Sequence, residues 1–170
     1  MTNTKWFERK FEFNFQDNIL PELIDRLSKT ENRLEELVKA KAEDRLTIKP
    51  DQTWSIKENI GHLNDLEPLW QGRLDDIMND QEFLRPTDLE NKKTDLANHN
   101  AQGIGELLSK FRTLRSQTID QLSALSESDV YKSALHPRLK TPMRVMDLFY
   151  FVAEHDDHHT ARIQEILENS

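Results

Sequence analysis

Apolar residues recur every three to four positions through "DNILPELIDRLSKTENRLEELVKAKAED", where Leu20, Leu23, Ile24, Leu27, Leu34, Leu37 and Val38 share one side and charges fill the other. The spacing predicts an amphipathic helix over about residues 17–43. A second stripe, Ile56, Ile60, Leu63, Leu66, Trp70, Leu74 and Ile77, follows Ser55, which forms a capping box with Glu58 three residues later. Pro68 interrupts that stripe and predicts a kink near residues 64–67, because it removes a backbone donor. A third helix is read from about Asn98 to Ser126, with Ile104, Leu107, Leu108, Phe111, Leu114, Leu122 and Leu125 inward. The fourth is read from Thr141 as cap and Pro142 as first helical residue to about Glu168.

Outside these stripes the pattern changes. Phe11, Phe13 and Phe15 alternate, but a lone strand has no partner, so residues 1–16 are read as an extended arm laid over the bundle or crossing to a second subunit. The links of about 17 and 15 residues before the third and fourth helices exceed simple hairpin connections and allow crossovers. The fold expected is all-α, one four-helix bundle over residues 1–170.

Composition narrows the function classes. A net charge of −8 with both signs interspersed argues against a nucleic-acid surface, which wants clustered Lys and Arg. No cysteine is present, so thiolate metal sites, disulfides and cysteine nucleophiles are excluded. No leader pattern and no run near 20 apolar residues is found, so a cytoplasmic chain without membrane contact is expected.

Candidate chemistry concentrates in "AEHDDHHTARIQ", which holds three of the six histidines. His155 and His159 lie four apart, within about 40° of each other on the shoulder of the apolar stripe, while His158 turns toward the polar side. Such a pair can place two imidazole nitrogens on one ion. His62 sits on the equivalent shoulder of the second helix, between Glu58 and Leu66. If those helices are neighbours, three histidines form a site with open positions, as catalytic zinc sites do; if not, each is a boundary residue. His155 to His159 also mimics H-E-x-x-H with Asp156 for Glu, but that shorter base and the missing downstream ligand weigh against a protease.

"WSIKENIGHL", "TDLENKKTDLANHN" and "HPRLKTPMRVMDLFYFVAEHDDHHTARI" together resemble the DinB-like (YfiT-like) proteins over roughly residues 17–168. The resemblance implies an up-down-down-up four-helix bundle, commonly a homodimer, with a divalent nickel or zinc ion. Carried over, the ligands are His62, His155 and His159. Characterised members of the family include bacillithiol-dependent and related thiol transferases, with a maleylpyruvate isomerase as a distant relative.

A dipositive ion on neutral imidazoles lowers the pKa of a bound water to about 7 and does the same for a thiol. Metal-dependent hydrolysis or thiol transfer on a small-molecule substrate, with a low-molecular-weight thiol as partner, is therefore expected. The alternative is a non-catalytic, stress-related binding module whose metal is structural or absent. Glu58 and Asp156 are the candidate proton-handling or ligand-orienting carboxylates; for Asp156 the competing reading is a salt bridge inside the bundle. Arg162 could hold a substrate anion or be paired, His99 and His136 read as polar loop or cap residues, with His136 alternatively reaching the mouth of the site from its loop, and Trp54 reads as packing at the bundle end.

Overall fold

The structure, a computed structural model, describes residues 5–169. Six α-helices form: α1 Leu20–Val38, α2 Glu43–Thr47, α3 Ile56–Met78, α4 Lys92–Leu96, α5 Ile104–Ser123 and α6 Val145–Asn169. The long ones, α1, α3, α5 and α6, make the bundle. Among them α1 and α3 each pack against both α5 and α6.

Side-chain pairs set the directions. Arg26 meets Glu154 and Arg33 meets Asp157, so α1 and α6 run parallel. Asn64 reaches the Leu107 carbonyl and Gln71 reaches Thr118, so α3 and α5 are parallel as well. His62 lies against His159 and Trp70 against Phe151, so α3 opposes α6. The order is up-down-down-up. The α1–α3 and α5–α6 connections each cross the bundle diagonally, which is what long links permit.

Two apolar clusters fill the interior. One contains Leu23, Leu27, Trp70, Phe149 and Val152, the other Leu34, Ile60, Leu63, Phe111 and Ile163. Between them lies a buried ionic layer. Arg115 on α5 donates to Asp156 on α6 at 2.6 Å and to Glu67 on α3 at 2.5 Å, while Thr30 on α1 donates to Asp156 at 2.7 Å. Burial alone would lower the Arg115 pKa, but the two carboxylates outweigh it and raise the value. A charge this deep is tolerable only because every member of the layer is paired.

Several boundaries differ from the sequence expectation. The first helix stops at Val38, where Ala40 takes a left-handed φ of 56° before the short α2. The third begins at Ile104, after a 3-10 turn over His99–Ala101. Pro68 stands on an exposed face of α3, which continues through it. Thr141 and Pro142 do not cap α6. Pro142–Arg144 instead form β2, antiparallel to β1 at Ser133–Leu135. The cap comes from within the helix: the Asp147 carboxylate accepts from the Arg144 backbone N–H at 2.9 Å, and the Arg144 guanidinium forks onto the same carboxylate. Strands three residues long are too short to show a periodicity.

Residues 5–16 of the arm lie across this chain's own bundle, and the first four residues fall outside the described part. Trp6, in a 3-10 turn, packs on Phe11 and Phe151, and Phe15 packs on Tyr150. Arg9 pairs with Glu154 at 2.6 Å and fixes the arm along α6.

Candidate metal centre

His62 projects from the N-terminal third of α3, and His155 and His159 project one turn apart from the facing side of α6. One ring nitrogen from each lies within 4.8 Å of the others. The Nε2 atoms of His155 and His159 are 3.2 Å apart. Two zinc–nitrogen bonds of about 2.05 Å at a tetrahedral angle would separate their nitrogens by about 3.3 Å, so the pair has the spacing of ligands.

The hydrogen-bond network fixes which nitrogens are free. Asn59 uses its amide NH2 on the Ser55 carbonyl at 2.8 Å, so its Oδ1, 2.8 Å from His159 Nδ1, accepts the histidine proton. Thr94 donates its hydroxyl to Asp65 at 2.9 Å and therefore accepts from His62 Nδ1 at 3.0 Å. Both rings then carry their protons on Nδ1 and present an Nε2 lone pair to the centre. His155 Nδ1 is buried without a hydrogen-bond partner among the described residues. At the His155–His159 contact, two lone pairs would repel unless a proton or a cation stands between them. The donor set fits a divalent cation.

Electrostatics favour the same outcome. Burial is the largest cause that lowers the His62 pKa, to about 4, and it holds His155 and His159 well below the usual imidazole range. All three are neutral at physiological pH, the state in which imidazole binds metal.

A layer behind the ligands was not legible in the sequence. Asp65 accepts from Thr94 and also from His99 Nε2 at 2.8 Å, and His99 Nδ1 takes a proton from Gln102. His99 is therefore a buried support for His62 at 3% exposure, not a loop or cap residue. Gly61 makes this contact possible, since a Cβ there would stand 2.2 Å from the His99 ring. A glycine inside a predicted helix, next to a candidate ligand, was the available signal.

The proposed carboxylates are placed elsewhere. Glu58 closes the capping box with Ser55 and pairs with Lys49 at 2.8 Å, away from the imidazoles. Asp156 belongs to the Arg115 layer, so the salt-bridge reading describes it and the ligand-orienting one does not. His158 is half-buried and does not point to open water: its ring sits 5.3 Å from Trp6 and 5.1 Å from His159. Arg162 is paired with Glu165 and donates to Thr53. Trp54 does more than cover the bundle end. Its ring stands 4.6 Å from His62 and is tethered through Nε1 to Asp95.

The three histidines open into a cleft of about 990 Å³, walled by Trp6, Trp54, Leu66, Trp70 and Phe151. Trp6 closes one side at 5.1 Å from His155. An ion here would meet protein on its inner side and the cleft on the other, the arrangement that leaves room for a guest.

Two comparisons with known proteins agree with this fold. The fold is similar to a solved structure of YfiT from Bacillus subtilis, with a TM-score of 0.83 and 18% identity, over 95% of this chain and 93% of that one. That protein is described as a probable metal-dependent hydrolase with an unusual four-helix bundle topology. Comparison with curated protein sequences gives no match. The family model of the DinB superfamily matches residues 26–163, most of the chain, and this protein belongs to that superfamily.

Proposed function

We propose that this protein is a metal-dependent enzyme of small-molecule chemistry, with His62, His155 and His159 holding one divalent cation. The observation that carries the reading is the convergence of three neutral imidazoles, two of them held in one tautomer, on one point at the floor of a cleft. A cation so held acidifies a coordinated water or thiol and polarises an electrophile. Nickel and zinc both suit an all-imidazole set, and hydrolysis and thiol transfer use the same activation.

The chain's own residues do the rest. Asn59 and Thr94 hold the His159 and His62 rings in one tautomer, so the ligands need no reorientation when a cation enters. The aromatic walls lower the local dielectric on their side of the cleft and so strengthen the field around the centre. His158 has no ligand position, lines the same cleft with its ring 5.1 Å from that of His159, and has its pKa lowered mainly by burial. It is the group placed to take a proton from the nucleophile. The description of YfiT as a probable metal-dependent hydrolase supports the hydrolytic branch, while the engagement of Glu58 by Lys49 and of Asp156 by Arg115 suits a thiol nucleophile, which needs only a modest base.

The experiment is a turnover assay on zinc- and nickel-loaded protein, against a panel of esters and amides and of thiol–electrophile pairs. Turnover that falls at least 100-fold in His159→Ala and survives as a measurable rate in His158→Gln supports the reading. If no panel member turns over with either metal, while chelation still lowers the melting temperature, the ion is structural and the binding-module alternative stands.

A further inference from the structure

Arg73 lies eleven residues after His62 on α3, within about 20° of the same direction and about 16 Å further along the helix axis. It lines the same cleft yet is only 3% exposed. Its Nε donates to the Arg85 carbonyl at 3.0 Å, and its Nη2 is buried with no hydrogen-bond partner among the described residues. No carboxylate among the described residues pairs with it. Asp76, whose charge it feels, is gripped bidentately by Arg85 at 2.8 and 2.9 Å. Burial lowers the guanidinium pKa to about 10, so it stays a cation at neutral pH. Its guanidinium stands 5.8 Å from the Trp70 ring centre, a weak compensation, and a buried charge without a counter-ion is costly, so an arriving anion would remove the cost.

A second uncommitted donor stands beside it. His136 Nδ1 accepts the backbone N–H groups of Leu139 at 3.1 Å and Arg138 at 3.3 Å, which puts its own proton on Nε2. Burial first, and then the charges of Arg73 and Arg138, lower its pKa to about 4, so the ring is a neutral donor. The acids that border the cleft are already engaged: Asp88 by the backbone of Glu90 and Lys92, and Asp95 by Trp54. Between this corner and the histidines the wall is apolar, formed by Leu66, Trp70 and Phe151.

We propose that Arg73 and His136 form a carboxylate-binding subsite, so that the substrate is an elongated molecule with an apolar middle and an anionic end held far from its reactive end. Two free donors, one guanidinium nitrogen and one imidazole N–H, match the two oxygens of a carboxylate. The assignment rests on the proposed function for what happens at the far end, but binding at Arg73 does not need the cation.

The test is titration of the protein with octanoate, read by tryptophan fluorescence since Trp70 lines the path, with 1-octanol and octyl phosphate as controls. It is run on the protein as isolated and again after chelation. The subsite predicts that octanoate binds at least tenfold more tightly than 1-octanol and no more weakly than octyl phosphate, in both preparations. Arg73→Gln should abolish the preference over the alcohol, and Arg138→Ala, an exposed change that leaves the core intact, should reduce it two- to threefold. Equal affinity for octanoate and 1-octanol, a tenfold preference for octyl phosphate, or a preference that Arg73→Gln leaves intact overturns the assignment. A preference that disappears on chelation puts the carboxylate on the metal and also overturns it, while leaving the metal reading untouched. A preference that persists in a protein that never retains metal upholds the subsite and removes the metal reading instead.

Discussion

Asn59 Oδ1 lies 2.8 Å from His159 Nδ1, and the amide that carries it is itself held by the Ser55 carbonyl at the start of α3. One helix thus sets the tautomer of a ligand on the opposing helix. Asn59→Ala removes that acceptor and lets the ring rotate. The expected outcome is a 10- to 100-fold loss of zinc affinity, measured by competition with a chromophoric chelator, with the far-UV spectrum unchanged.

Thr94 plays the corresponding part for His62. Thr94→Val keeps the side-chain shape but removes the oxygen that links His62 to Asp65. Zinc affinity should fall about tenfold by the same titration. Retention of full affinity would show that the loop carrying α4 only covers the site.

The ionic layer makes a different prediction, because it touches no proposed ligand. Arg115→Met leaves Glu67 and Asp156 buried without their partner. Urea unfolding should show a loss of about 3–5 kcal/mol. Metal content, corrected for the folded fraction, should stay at the wild-type value.

The arm has a pH dependence whose sign follows from Glu154. Burial acts to raise its pKa, but the hydrogen bonds from Arg9 and Arg26 outweigh it and leave the value lowered. A carboxylate depressed in the folded state contributes stability above its unfolded value, about 4.5, and loses it as pH falls further. Trp6 should therefore leave His155 and Phe151 as the pH drops below about 4.5. The fluorescence difference between wild type and Trp6→Phe reports that step. Arg9→Ala should remove the acid dependence of that difference.

These residues show what the sequence could and could not convey. The apolar stripes of α1, α3, α5 and α6 are long and strongly periodic, and the Ser55–Glu58 box marks one helix start to the residue. The i, i+4 spacing of His155 and His159 is local, so it was visible, whereas the meeting with His62 depends on α3 lying beside α6 and was conditional. Asn59, Thr94, Asp65 and His99 act through contacts between elements and carry no spacing signature. Asp156 stays open between two readings because its direction on the stripe fits both a ligand's helper and a core ion pair; Arg115, 41 residues away in sequence, decides for the ion pair. Arg73 likewise carries no spacing signature, because its burial comes from contacts between elements.

The central claim is that rings from two helices close around one cation. The most direct measurement is metal stoichiometry by elemental analysis of wild type beside His62→Ala and His159→Ala, each purified identically and loaded with zinc. About one ion per chain is expected in wild type, with less than about a tenth of that in either variant. An unchanged stoichiometry in His62→Ala would contradict the account, because the ion would then be held by α6 alone.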